Sequence, residues 1–201
     1  MQNEITKKSK HHLICGQRIE LVPITPEHMD FMCRVETDVT LWYYEESVIT
    51  DEKLVRRKFT DRINRDDVYD FIVRRISDGV PVGVVYTWQY IGERKIWEIG
   101  YALLPEFQGN GFCLESVRLL ISFIFGELGA HKIVGMCNSE NLRSASVMQK
   151  AGMSKQGVFR EEYYWRGQWV DQFYFSLLER EYRSDYGNNR LALTSATASG
   201  R

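Results

Sequence analysis

Between Trp97 and Leu128 a strand runs into a proline, a loop carries two glycines one residue apart, and an apolar helix follows at once. The segment reads Trp97-Glu-Ile-Gly-Tyr-Ala-Leu-Leu-Pro-Glu-Phe-Gln-Gly-Asn-Gly-Phe-Cys-Leu-Glu115. This order restricts the fold because it sets successive backbone N–H groups at a helix N-terminus, where no intrahelical carbonyl can meet them. Such a terminus binds anions, and glycines let a phosphate approach the main chain. The helix dipole adds only ~0.3–1 kcal/mol for each anionic group, so the amide hydrogen bonds matter more. No Gly-Lys-Ser/Thr follows, which excludes a nucleotide P-loop. A dinucleotide fingerprint needs a small residue at 114, where Leu stands, and a parallel βαβ unit that the flanking hairpins argue against. The glycine pair by itself also fits a purely structural loop.

The rest of the chain supplies the order of elements. Arg18 to Ile24 alternates as a first strand, and Thr25-Pro26-Glu27 supplies a cap, a proline and an early acid for a helix. Thr50-Asp-Glu-Lys-Leu opens a second helix that ends near Arg65. Strands follow at Tyr69–Ile76, Val82–Ile91 and Ile96–Leu104, the first two joined by Ser77-Asp78-Gly79. The apolar helix from Gly111 to Leu128 leads to a strand at His131–Cys137 and a helix at Asn141–Ala151. Aromatic strands at Gln156–Trp165 and Trp169–Leu178 close the pattern. The expectation is an α/β (α+β) fold, with a mixed, mostly antiparallel sheet of about seven strands flanked by helices. A polar arm is expected over 1–17, a single domain over 18–182 and a polar tail over 183–201.

Charge bounds the partners. The net charge is −1 and the pI about 6.4, far from the basic footprint of a nucleic-acid-binding domain. No apolar run reaches the ~20 residues of a membrane span, and the polar first dozen residues do not read as a secretory leader. Between the two basic ends, residues 19–182 sum to −6, and residues 27–52 hold eight acids against Arg34 alone. That run would attract a cation, unless it is an ordinary solvated face. The four cysteines have neither C-x-x-C nor metal-ligand spacing, which suits a reducing cytoplasm and gives no metal site.

Taken together, Gln108-Gly-Asn-Gly111-Phe-Cys113 resembles the Gln/Arg-x-x-Gly-x-Gly/Ala loop of the GNAT superfamily of N-acetyltransferases. Ile99-Gly-Tyr-Ala-Leu-Leu-Pro105 ahead of it is similar to the Rim-type branch, which acetylates ribosomal-protein N-termini. So are Asn138-x-x-Asn141-x-x-Ser144 and Lys150-Ala-Gly-Met153. The resemblance spans residues 18–180 and implies a GNAT-like acyl-CoA fold with acetyl-CoA as co-substrate and no metal. It implies that Gln108, Gly109, Asn110, Gly111, Phe112 and Cys113 hold the pyrophosphate. Ala102, Leu103 and Leu104 would bond the pantetheine as an added strand, and a splay before His131–Cys137 would admit the thioester. Asn138, Asn141 and Ser144 match positions lining the pantetheine and sulfur. Arg143 or Lys150 would meet outer phosphates, or be solvated helix charges. Cys113 stands where Gly or Ala is usual, as an oxidisable thiol or as a buried, inert one.

The resemblance makes Glu98 the candidate base. An apolar strand around it would raise its pKa, while a cross-strand Arg74 or Arg94 would instead satisfy it. A backbone N–H near Leu103 would meet the developing oxyanion. Many GNAT enzymes carry an acidic Tyr where this chain has Met148; Ser144 is the substitute by likeness, with Tyr163 and Tyr164 as alternatives. The amine acceptor, a protein N-terminus or a small cationic molecule, is expected at Trp42, Tyr43, Glu45 and Trp88. Trp165 and Trp169 either join them or pack as core. A homodimer is compatible with the resemblance, as is a non-catalytic acyl-CoA sensor or scaffold of the same fold.

Overall fold

A computed structural model describes residues 13–186. The outer parts of the two expected arms, residues 1–12 and 187–201, lie outside the described residues. Eight strands form one sheet: β1 (Ile14–Cys15), β2 (Ile19–Pro23), β3 (Val68–Arg75), β4 (Pro81–Ile91), β5 (Ile96–Leu103), β6 (Lys132–Asn138), β7 (Ser154–Trp165) and β8 (Gln168–Leu178). Their order is β1-β2-β3-β4-β5-β6-β8-β7, antiparallel throughout except for β5 beside β6. The eighth strand beyond the expected seven is β1, inside the stretch read as an arm. Two residues give no visible alternation, yet they pair with Glu20 and Leu21 of β2.

Among the described residues five α-helices cover the sheet: α1 (Met29–Glu36), α2 (Glu52–Ile63), α3 (Phe112–Gly126), α4 (Leu142–Lys150) and α5 (Glu179–Tyr186). The Thr25-Pro26 start signal opens a short 3-10 turn, Pro26–His28, which runs on into α1. Asp51 caps α2 by accepting from the Lys53 amide at 2.8 Å. Asn141 caps α4 by accepting from the Ser144 amide at 3.1 Å. Helix α5 crosses the expected boundary at 182 and is laced by an Arg183–Glu179 pair at 2.7 Å. Its composition is polar enough to resemble a tail, yet Tyr182 docks it by stacking on Phe125 of α3, ring centroids 5.0 Å apart.

Alternation along the strands sorts the core into two layers. Trp97, Ile99 and Leu103 of β5 join α3, Ala145 and Met148 of α4 and Phe175 of β8 on one face. Val84 and Tyr86 of β4 and Ala102 of β5 join Met32, Val35, Val55 and Phe59 of α1 and α2 on the other. Side chains of successive β5 residues therefore reach opposite faces of the sheet, and that separation organises the site.

Candidate active site

The sheet opens between β5 and β6. The two strands pair only at Ile96–Lys132, Trp97–Ile133 and Glu98–Val134. Beyond Glu98, β5 stays with β4 as far as Leu103, while β6 follows β8 as far as Asn138. The facing edges are left without each other as partners. The Leu104 amide bonds the Val82 carbonyl at 3.0 Å, so Leu104 and, by alternation, Ala102 spend their backbone groups on β4. Leu103 and Tyr101 turn theirs toward the opening. Of the three residues expected to bond pantetheine through the main chain, only Leu103 has that orientation, which it shares with Tyr101. The Leu103 carbonyl accepts from Gln108 Nε2 at 2.9 Å, which ties the glycine loop to the strand end.

The loop itself is shaped by two left-handed glycines, Gly109 (φ 80°) and Gly111 (φ 78°). An added Cβ at Gly109 would meet nothing within 4 Å, whereas one at Gly111 would come within 3.2 Å of Arg18 Nη2. The amides of Phe112, Cys113 and Leu114, in the first turn of α3, have no intrahelical carbonyl in reach. Asn110 turns its side-chain amide back on the Gln108 carbonyl at 3.2 Å. Arg143 reaches Gln108 Oε1 at 3.4 Å, which brings its cation to the loop. Lys150, at the far end of α4, uses its carbonyl to hold Arg118 at 2.8 Å. Burial pushes the Cys113 thiol up to about 12, despite its place in the first turn of a helix, where a dipole would lower it. The side chain itself is half-buried.

Glu98 points to the face opposite α3, into a cavity of about 650 Å³. Trp42, Glu45, Trp88 and Tyr163 line that cavity beside it. Burial pushes the Glu98 carboxyl up to about 7; Glu45 adds to the rise, and a hydrogen bond from the Trp88 side chain opposes it. Of the two arginines expected as partners for Glu98, Arg74 bonds Glu20 through Nε at 2.6 Å, and Arg94 lies in the Gly92–Arg94 turn between β4 and β5. The Glu45 carboxyl is also raised, by desolvation at the cavity wall and then by Glu46 and Glu36, although the residue is exposed.

On the α3 face, Tyr101 sends its hydroxyl to Ser144, 2.9 Å from Oγ and 3.0 Å from the carbonyl. Glu98 and Ser144 thus approach the strand opening from opposite sides of the sheet. Met148 is buried among the core residues of that face. Tyr163 bonds Gln172, and burial pushes its hydroxyl up to about 12. Tyr164 is exposed and packs against Trp169. Asn138 and Asn141 do local work: Asn138 accepts the Glu140 amide at 2.9 Å and donates to the Tyr44 carbonyl at 3.3 Å, and Asn141 is the α4 cap.

The acidic run is largely consumed by the fold. Asp30 and Glu52 meet Arg56, Glu36 meets Lys58 at 2.7 Å, and Asp38 and Asp51 accept backbone amides. Glu46 accepts the Tyr164 amide at 3.0 Å. Tyr43 is outside the cavity lining; it packs against Tyr44 and Trp165 under the Arg166 guanidinium, and its carbonyl accepts Trp165 Nε1 at 2.8 Å. It anchors the α1–α2 connection to the β7–β8 hairpin. Of the four residues expected to face an acceptor, Trp42, Glu45 and Trp88 share the cavity. Two positions carry no local sequence signal: Arg18, and Tyr101, which shares its face of β5 with Trp97, Ile99 and Leu103.

Comparison with known proteins agrees with this architecture. The family model described as "Acetyltransferase (GNAT) domain" matches residues 18–154. The "Uncharacterized N-acetyltransferase YnaD" of Bacillus subtilis is 29% identical over 140 residues, covering 70% of this chain and 81% of its own. The "Putative ribosomal N-acetyltransferase YdaF" of the same organism is 26% identical, covering 77% and 99%. Among solved structures, a spermidine N-acetyltransferase from Vibrio cholerae in complex with CoA and spermine superposes with a TM-score of 0.77. That match is at 18% identity and covers 83% of this chain and 99% of that one.

Proposed function

The chain belongs to the GNAT family of acetyl-CoA-dependent N-acetyltransferases, and on that premise we propose that it acetylates a primary amine held in the Glu98 cavity. The proposed acceptor is a cationic molecule, a protein N-terminus or a small amine, that reacts directly with the donor in a ternary complex. The observation that carries this reading is Glu98: a carboxyl with no ion-pair partner among the described residues, at the point where β5 and β6 part, raised to about 7. At neutral pH such a group is poised to take a proton, and general-base help of this kind is worth ~10²–10⁴-fold in rate.

The residues present fit the donor. Two left-handed glycines and the unmet amides of α3 make a cradle for a diphosphate, and Arg143 adds a cation beside it. The Leu103 main chain faces the opening along which a pantetheine arm would lie, and its amide would meet charge developing on the thioester oxygen. Acetyl-CoA, when bound, supplies an activated acyl carbon and a thiol leaving group. The chain's part is to orient the amine and remove its proton at Glu98, directly or through one water. Glu45 would hold the amine's positive charge, or a second cationic centre on the same molecule, with Trp42 and Trp88 as aromatic walls. Ser144, held by Tyr101, would stand near the sulfur from the other face.

The test is to incubate the protein with acetyl-CoA and a panel of diamines, monoamines, amino acids and peptides with varied N-termini. Thiol release is followed with a chromogenic disulfide, and products are identified by mass spectrometry. Acceptor-dependent release with an N-acetylated product is expected. A thermal shift with CoA but no release with any amine would return the non-catalytic reading of the fold.

A further inference from the structure

Arg18 lies immediately ahead of β2 and 92 residues from Asn110 in sequence, yet its side chain ends in the glycine loop. Nη1 donates to the Asn110 carbonyl at 2.9 Å, and Nε donates to Glu115 Oε2 at 2.9 Å. The other Glu115 oxygen accepts the Gln17 and Arg18 amides, each at 2.8 Å. The guanidinium also lies over the Phe112 ring, 5.2 Å from its centroid. It is braced by the loop, by the first turn of α3 and by that helix's first side chain.

The consequence lies in the peptide between Asn110 and Gly111. In a trans peptide the carbonyl and the N–H point in opposite directions and cannot turn independently. Fastening the Asn110 oxygen to Arg18 therefore aims the Gly111 N–H away from Arg18. The same guanidinium answers a second difficulty through its contact with Glu115. Glu115 is an acid in the first turn of α3, favourable to the helix dipole but repulsive to an anion bound there. Arg18 neutralises it, and at 16% exposure against 53% for Arg18, Glu115 is the more enclosed member of the pair.

We propose that Arg18 is a positioning residue for the acyl donor: it sets the Asn110–Gly111 peptide so that the Gly111 amide joins the amides of α3 in receiving the diphosphate. This rests on the loop holding the donor's diphosphate, as in the proposed function. Arg18 is not expected to touch the thioester or the amine, so its loss should appear in donor recognition alone.

Acetyl-CoA and S-acetylpantetheine, which lacks the diphosphate and nucleotide, separate the two ideas when used as alternative donors with the best amine of the panel. Wild-type enzyme should prefer acetyl-CoA. Arg18→Ala should shrink that preference roughly ten- to a hundredfold, the worth of one misdirected hydrogen bond to a charged group. The loss should come through the KM for acetyl-CoA, with kcat on S-acetylpantetheine and the KM for amine unchanged. Arg18→Lys should recover part of it, because one ammonium cannot serve Glu115 and the Asn110 carbonyl with the same geometry. The ratio of kcat/KM for the two donors is independent of the folded fraction, so a destabilised variant still reports. Retention of the wild-type preference by Arg18→Ala, or an equal loss with both donors, would overturn the proposal. Wild-type enzyme that used both donors equally would overturn the loop assignment beneath it.

Discussion

Replacing Glu98 by Gln should make the protein more stable and the enzyme slower, and the two effects should follow pH in a linked way. The folded protein holds this carboxyl at about 7 against an ordinary 4.5. At about 1.4 kcal/mol per pKa unit, that rise is an ionisation penalty of up to about 3 kcal/mol. Because the folded-state pKa is the raised one, the folded protein keeps the proton more tightly than the unfolded chain. The penalty is therefore small below about pH 4.5, grows as pH climbs toward 7 and is complete above it. Gln has no charge to bury and still offers Trp88 an acceptor. At about pH 8 the variant should melt higher by roughly 6–12 °C, and near pH 4.5 the two proteins should nearly coincide. Turnover at saturating amine should fall ~10²–10⁴-fold, and the wild-type rise in rate around neutral pH should vanish from the variant's profile. Scanning calorimetry and thiol release across pH measure both. A variant with unchanged melting at high pH, or a wild-type rate that is flat through neutrality, would refute the assignment of Glu98 as a buried, titrating base.

Three further outcomes follow from neighbouring residues. Glu45→Gln removes a charge that raises Glu98, so the midpoint of the rate profile should move to lower pH. The KM for a dicationic amine should also rise roughly threefold or more, since a partly exposed ion pair is lost. Gly111→Val forces a β-branched residue into φ 78° and drives its Cβ toward Arg18, a backbone strain of about 1–2 kcal/mol before any contact is counted; calorimetric CoA binding should be abolished. Cys113, with its thiol pushed up to about 12, should have a thiolate fraction near ~10⁻⁴ at about pH 8. Peptide mapping after iodoacetamide should find it modified only once the protein is unfolded.

The order of elements was legible because each is punctuated by residues with one physical use. Asp51 and Asn141 cap helices with their side chains, Pro105 ends a strand, and Gly111 supplies the left-handed step into α3. What escaped reading lacked such marks. β1 is two residues long, and its identity depends on β2 being beside it. The site divides in the same way. Glu98 was named by the family resemblance, and the apolar strand around it gave the direction in which its pKa would shift. Tyr101 and Arg18 were not, because what each does depends on partners 43 and 92 residues away.

Charge shows most clearly why sequence counts and site chemistry differ. Eight acids against one arginine over residues 27–52 read as a cation-attracting surface, yet α2 returns Arg56 and Lys58 to three of them. Backbone amides take up Asp38, Glu46 and Asp51. An acid whose charge is already met by a guanidinium or an amide gains little from a second cation, since the new contact must displace the old one. Discrimination among acceptors is therefore expected to rest on Glu45 and Glu98, which line the cavity with no ion-pair partner among the described residues, rather than on the acidity of the run as a whole. Reversing charge at Asp30 or Glu52 should weaken the ion pairs between α1 and α2 and leave amine preference intact, whereas the same change at Glu45 should alter amine preference.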